Sequence, residues 1–382
     1  MPVTPYLQRS DCSSPTGEIS LKSIATTSSR STGLLVSTCM AALLGSASVS
    51  AADMPADLLE AAQSEGRVDS VGMPDSWANW KDTWADLESK YSIAHSDTDM
   101  SSAEEVAKFK AEGENATADI GDVGFAFGPI AVQQGVTQAY KTTTWEQIPE
   151  WAKDKDGHWV LGYTGTISFM INKTLVSEDE RPTSFADLAE GDYKVSVGAV
   201  GKASQANNAI LAAAFANGGK ESDLTPGLEV FAELARQGRL SLAEPSIANL
   251  EKGEVEVALL WDFNALNYRD QINRDTFEVV IPSDASVTSG YATIINKHAA
   301  HPNAAKLARE YILSDAGQLN LAKGYARPIR AEHLTLPEDI AAKLLPNEQY
   351  ANARPVQDFA GWEASAKQLP RQWQSQVLIH QQ

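Results

Sequence analysis

The sequence predicts an α/β protein of two lobes, each a mixed, mostly parallel sheet with flanking helices, the two joined by a two-strand hinge. Three observations carry that prediction. Short apolar runs alternate with amphipathic helical stretches from residue 55 onward, two longer apolar segments at 159–171 and 282–295 interrupt the alternation, and 382 residues are enough to bury two cores. An apolar fraction of 43% with 8% aromatics is that of a globular chain and not of a disordered one.

In chain order, residues 55–66 read as a helix with Leu58, Leu59 and Ala62 on one face and Gly66 as its stop. A short buried strand, 68–73, ends in a Pro-Asp-Ser turn. Residues 77–91 carry Trp77, Trp80, Trp84, Leu87 and Tyr91 at three- and four-residue spacing, the period of an amphipathic helix. Ser101 or Ser102 caps a further helix to Gly113, with Glu104 and Glu105 in its first turn. Past the middle, 194–200 is a strand and 204–217 an Ala- and Leu-rich helix stopped by Gly218-Gly219. The helix 228–237, the strands 255–260, 277–281 and 292–295, and the helix 302–313 continue the alternation. No fixed-period repeat is evident.

The segments 159–171 and 282–295 are read as crossings between lobes. Residues 52–163 and 290–345 then form lobe 1, residues 164–289 lobe 2, and 346–382 a polar tail held on the body by Trp362 and Trp373. Ligands of open α/β sheets sit beyond the carboxyl ends of strands, so a cleft between the lobes and hinge closure around a solute are expected.

Residues 1–51 read as a leader. Arg9, Lys22 and Arg30 precede an apolar run, 34–44, that is too short for a stable membrane span, and Val49-Ser50-Ala51 suits signal peptidase, with cleavage near Ala51. A periplasmic location follows as an expectation. Both cysteines, Cys12 and Cys39, lie in this leader, so the mature chain is expected to use neither disulfides nor thiol chemistry. The net charge of −19 disfavours nucleic acid as a partner.

Three stretches carry a resemblance. Residues 97–109 (DTDMSSAEEVAKF), Gly162-Tyr163-Thr164-Gly165-Thr166 followed by Ile171-Asn172-Lys173-Thr174-Leu175-Val176, and His301-Pro302-Asn303-Ala304-Ala305-Lys306 with Ser314-Asp315-Ala316-Gly317-Gln318 resemble motifs of the type II periplasmic binding proteins, the extracellular solute-binding subunits of ABC importers. The resemblance covers roughly residues 55–330 and points to the subgroup for iron, polyamines, thiamine and phosphonates. It implies a monomeric receptor that passes a small solute to a membrane-embedded ABC permease in a transient encounter.

Candidate ligand-binding residues follow from position. Trp261-Asp262, directly after an apolar strand, offers a ring and a carboxylate to an amine, and the polyamine branch has a tryptophan followed by an acid at a similar place; the alternative is a core Trp with Asp262 capping the next helix. Ser101 and Ser102 resemble the family's cleft serine, or are plain caps. Trp77 follows Ser76 where the polyamine branch has a Trp-Ser pair in the reverse order. Tyr163 lies on the first crossing and Tyr291 on the second, where polyamine binders carry an aspartate that this chain lacks. Ser204 opens a helix whose free N–H groups favour an anion, and Arg327 suits a carboxylate or phosphonate, or else an interlobe ion pair. Taken together they describe a zwitterion site, of amino acid or aminophosphonate type, with a polyamine as the simpler cationic case. A small carboxylate, a phosphate ester or a ferric complex is the alternative, although no Tyr-Tyr pair is present for iron.

No nucleophile elbow, phosphate loop or dinucleotide glycine pattern occurs, and the six histidines are not paired at helical metal spacing. No catalytic residue, metal or cofactor is expected, and an enzyme on the same fold is the remote alternative.

Overall fold

A computed structural model describes residues 54–381. The leader expectation, with Cys12 and Cys39, lies outside the described residues. The chain begins with α1 (Ala56–Glu65), β1 (Arg67–Val71), α2 (Trp80–Tyr91), β2 (Ala94–Thr98), α3 (Ser102–Glu112), β3 (Ile120–Gly124), α4 (Phe127–Gln133) and β4 (Thr137–Gln138). The long strand β5 (Trp159–Asn172) leads into α5 (Phe185–Glu190), β6 (Val195–Ser196), α6 (Ser204–Ala216), α7 (Thr225–Arg236), β7 (Leu240–Ser241), α8 (Ile247–Glu251), β8 (Val257–Trp261), α9 (Asp262–Ile272) and β9 (Phe277–Val280). A second long strand, β10 (Ser286–Asn296), precedes α10 (Pro302–Leu313), α11 (Asp315–Lys323), β11 (Arg327–Pro328), α12 (Glu338–Ala341), β12 (Ala353–Pro355) and α13 (Phe359–Gln372).

The strands join in the order β2-β1-β3-β10-β5-β8-β6-β7, with β4 and β12 beside β10 and β9 and β11 beside β5. The outer strands run parallel on both flanks, β2-β1-β3 on one and β8-β6-β7 on the other, while β5 and β10 are antiparallel to each other. One strand serves both flanks. Residues 159–166 of β5 pair with β10, and from Ile167 the same strand pairs with β8 instead. Every residue of β5 is buried, as a strand covered on both faces must be. It reads accordingly as a continuous apolar run.

Several boundaries differ from the sequence reading for identifiable reasons. The helix expected from Trp77 starts at Trp80, because Ala78 and Asn79 take left-handed φ of 47° and 58° and break its first turn. That break frees Trp77 from the helix. The strand expected over 194–200 shrinks to two residues before Gly198 at φ 79°. Pro226 starts α7 three residues earlier than periodicity suggested, since proline suits the first turn of a helix. The strands β2 and β3 were not anticipated. β2 alternates exposed and half-buried, and β3 is only five residues, two of them glycine. In the tail, Trp362 and Trp373 are both buried.

Candidate functional site

The ends of β1 and β3, the N-termini of α3 and α6 and the start of α9 converge on a cleft of about 450 Å³. One wall comes from Gly72, Trp77, Asp99, Ser101, Ser102, Glu105 and Asp122, the other from Lys202, Ser204, Gln205, Glu244, Asn264 and Tyr268, with Tyr291 of β10 also lining it. Beside the cleft, an added Cβ on Gly124 would lie 2.9 Å from Ser204 Oγ. Among the lining residues four carry carboxyls and one, Lys202, an ammonium.

The floor is an aromatic and acidic assembly. Asp122 sits in the middle of β3 and is 2% exposed. Its Oδ2 accepts the Tyr163 hydroxyl at 2.7 Å, and that hydroxyl in turn accepts Trp77 Nε1–H at 2.7 Å. Its Oδ1 is buried, and the Trp80 indole N–H is a second donor facing this carboxyl, opposing the effect of burial. Glu105, 1% exposed on α3, accepts the Asp122 backbone N–H at 3.1 Å. Two glycines make room for it: a Cβ on Gly72 or Gly121 would meet the Glu105 carboxylate at 2.4 or 2.6 Å. Burial pushes the Asp122 carboxyl up to about 8, with the nearby Asp97 adding to the shift. Burial first, and then Asp122 itself, hold Glu105 well above the usual carboxylate range.

Above these acids stands a ring of aromatics. Tyr291 stacks on Tyr163 with centroids 5.7 Å apart, and Trp77 meets Tyr291 edge-on at 5.4 Å. Tyr163 is fully buried beneath the lining, and Trp261 supports the ring from behind by donating Nε1–H to the Tyr291 hydroxyl at 3.2 Å. The N-terminus of α6 faces the cleft with Lys202, Ala203 and Ser204, so its unpaired N–H groups and dipole favour negative charge there.

The nine residues singled out from the sequence therefore divide. Trp77, Ser101, Ser102, Ser204 and Tyr291 line the cleft, while Tyr163 and Trp261 brace the lining from below. Ser101 directs its N–H and hydroxyl to Glu104, and Ser102 Oγ accepts Gly124 N–H at 2.9 Å, so both serines also order the start of α3. Asp262 and Arg327 are outside the lining. Asp262 Oδ1 accepts the N–H groups of Thr166 and Phe263 at 2.9 Å, and Oδ2 accepts the Tyr350 hydroxyl at 2.5 Å. Arg327 lies 4.0 Å from the same carboxylate and over the Tyr350 ring at 3.6 Å. Asp262 thus ties β5 to the start of α9, with both of its oxygens engaged inside the body.

Glu105, Asp122, Lys202, Asn264 and Tyr268 are lining residues that the sequence reading did not select as ligand contacts. The available signal for Asp122 was an acid inside an otherwise apolar or glycine strand, Ile120–Gly124. Elsewhere, Asp69, Asp119 and His301 bring three possible metal-ligand atoms within 4.8 Å of one another. There Asp119 already accepts the Asp69 and His301 N–H groups at 2.9 Å, and none of the three lines the cleft.

The family model for bacterial extracellular solute-binding proteins matches residues 115–354. The chain belongs to this family. Solved solute-binding proteins share its fold. AfuA from Actinobacillus pleuropneumoniae, with fructose-6-phosphate bound, superposes with a TM-score of 0.66 at 18% identity over 82% of this chain and 99% of that one. A substrate-binding protein of an ABC transporter from Agrobacterium tumefaciens gives 0.68 at 14% identity over 81% and 94%. The sulfate-binding protein of Escherichia coli is 27% identical over 129 residues, which is 31% of this chain and 35% of that relative's length. The chain is thus an extracellular solute-binding protein with the fold of these periplasmic binding proteins. Among the described residues no helix is long and apolar enough to cross a membrane.

Proposed function

We propose that this solute-binding protein captures a small zwitterion in the cleft, its ammonium end against the acidic aromatic floor and its anionic end at the start of α6. One observation carries the reading: the cleft lining holds four carboxyls, two of them the buried Glu105 and Asp122, and one ammonium. The rings of Trp77, Tyr268 and Tyr291 suit a cation by their quadrupoles. Lys202 and the α6 N-terminus suit a carboxylate or phosphonate. The ligand contacts are then Trp77, Ser101, Ser102, Ser204 and Tyr291 together with Glu105, Asp122 and Tyr268, with Tyr163 and Trp261 behind them. Asp262 and Arg327 act at the hinge.

In this reading the protein works in the periplasm, after removal of the leader, as a monomeric receptor and not as an enzyme, and it delivers the solute to a membrane-embedded ABC permease. The bodies that close are residues 52–163 with 290–345 and residues 164–289, with 346–382 as a tail on the body. The change of pairing partner within β5 at Thr166 and Ile167 supports a hinge there. An inorganic anion such as that named for the sulfate-binding relative would meet a predominantly acidic wall.

A melting-temperature panel tests the reading, because a ligand that binds only the folded state raises its stability, by about 2.7 kcal/mol at a hundred times Kd. 4-Aminobutanoate and 2-aminoethylphosphonate are expected to raise the melting point, putrescine to raise it less, and sulfate, succinate and fructose 6-phosphate to leave it unchanged. A rise with sulfate or succinate and none with the amines would end the cationic reading; a rise with ferric citrate alone would replace it with the iron alternative.

A further inference from the structure

We propose that residues 356–381 form a latch, anchored on the α6–α7 flank, that holds the cleft closed by seating Phe359 against Phe125 of the opposite flank. The inference rests on the closure of two bodies proposed above, and not on the charge of the solute.

The segment is anchored on one side. The family match ends at residue 354, so α13 lies beyond it. After β11, which pairs with β5, the chain reaches β12 beside the start of β10. From there Arg354 lies over the Phe215 ring of α6 at 3.8 Å, and Gln357 N–H donates to Glu221 Oε1 at 3.0 Å. Trp373 meets Phe231 of α7 edge-on at 5.7 Å, and Gln381 Nε2 donates to the Leu240 carbonyl of β7 at 2.9 Å. These anchors all belong to the flank of α6, α7 and β7. Trp362, Leu369 and Trp373, spaced seven and four residues apart, are the buried face of the tail.

Two further contacts bring the tail to the cleft. A Cβ on Gly201 would lie 2.8 Å from Pro370 Cγ, so α13 backs the turn that presents Lys202, Ala203 and Ser204 to the cleft. At its other end the Phe359 ring meets Phe125 edge-on, with centroids 5.1 Å apart and planes at 87°. Phe125 belongs to the opposite flank: it follows β3, and its N–H donates to the Gly290 carbonyl of β10 at 2.9 Å. Its ring packs on Trp159 and Trp151 at 5.4 and 6.0 Å. The preceding residue, Gly124, donates its N–H to Ser102 Oγ, which lines the cleft. Phe125 is 5% exposed and Phe359 44%, so Phe359 lies over Phe125 and fills no core of its own.

A ring fixed to one flank and seated on the other is covered only while the cleft is closed. Rotation of the flanks about β5 and β10 parts the two rings and returns Phe125 to water, so the pair adds to the closed state. A solute bound between the walls shifts the same equilibrium, and the latch and the ligand reinforce each other. One edge-to-face aromatic pair changes the population of the open form about two- to tenfold.

The test is hydrogen–deuterium exchange of the unliganded full chain, comparing the wild type with Phe359→Ala, Phe359→Leu and Trp151→Ala. Phe359→Ala should raise exchange about two- to tenfold in residues 122–128 and 200–206, with α7 and residues 373–377 unchanged. Phe359→Leu, which keeps an apolar cover, should recover most of the protection. Trp151→Ala removes a ring that touches Phe125 from its own flank and should leave 200–206 unchanged. Exchange equal to wild type in both segments of Phe359→Ala overturns the latch, as does a rise confined to residues 356–362 or one that Trp151→Ala reproduces at 200–206. Calorimetry with 4-aminobutanoate separates this inference from the ligand reading. If the amine does not bind and Phe359→Ala still opens the cleft, the cationic reading fails and the latch stands. If the amine binds wild type and Phe359→Ala alike and exchange is unchanged, the latch fails and the cationic reading stands.

Discussion

Two buried aspartates, Asp262 and Asp122, are about equally withdrawn from solvent at 1% and 2% exposure, yet they stand in opposite situations. Asp262 has both oxygens engaged: two backbone N–H groups, a tyrosine hydroxyl and a guanidinium at 4.0 Å surround it. Asp122 is met only by side-chain donors, the Tyr163 hydroxyl and the Trp80 indole, beside a cleft. A buried acid held by backbone donors ties elements of the fold together, whereas one met only by side chains at a cavity has fewer fixed donors. Burial alone does not distinguish the two roles; the donor inventory does.

The comparison breaks most visibly under truncation. Asp262→Ala leaves the half-buried Arg327 beside Tyr350 without its anion and strips Thr166 and Phe263 of an acceptor. It should cost about 3–5 kcal/mol of folding stability in chemical denaturation, while amine affinity, where the variant folds, changes little. A large affinity loss at unchanged stability would return Asp262 to the ligand. The reciprocal change, Asp122→Asn, should weaken amine binding by about 2–3 kcal/mol, the range for a hydrogen bond to a charged group, as read by calorimetry. Its folding stability at neutral pH should be unchanged or higher, because a buried acid without a cation is removed.

A third expectation separates the two by pH. The folded-state carboxyl of Asp122 is raised to about 8, above its unfolded value, so its contribution to stability is fully present in acid and is lost as pH rises toward 8. Denaturant midpoints of the unliganded protein should therefore fall between mildly acidic pH and pH 8, and Asp122→Asn should flatten that slope. A slope identical in the variant would place the titration elsewhere. The smallest effect concerns closure. Gly124→Ala puts a methyl 2.9 Å from Ser204 Oγ, beside the cleft. Amine affinity should drop by a few-fold, of order 0.5–1 kcal/mol for a displaced side chain, with the melting point of the empty protein unchanged.

Much of the fold was legible because periodicity and punctuation are local. The helices at 56–65, 204–216 and 302–313 and the buried run of β5 are visible in apolar spacing, Gly stops and Pro starts. Trp77 was misplaced on a helix, since nothing local marks Ala78 and Asn79 as left-handed. β3 was missed because a five-residue strand with two glycines and an aspartate shows little apolar pattern. The most informative acid of the site went with it. Tyr291 and Trp261 were chosen separately from their sequence positions, and only folding joins them by a hydrogen bond at 3.2 Å.

By itself the sequence determined the alternation of strands and helices, the long buried run of β5 and the motifs of a solute-binding protein, all of which depend on neighbours within a few residues along the chain. The tertiary structure alone decided which carboxylate is tied by backbone donors inside the body and which lines the cleft. A carboxylate's protonation depends on donors that arrive from distant segments: Thr166 and Tyr350 for Asp262, and Tyr163 and Trp80 for Asp122. Residues so far apart in the chain meet only after the strands have paired.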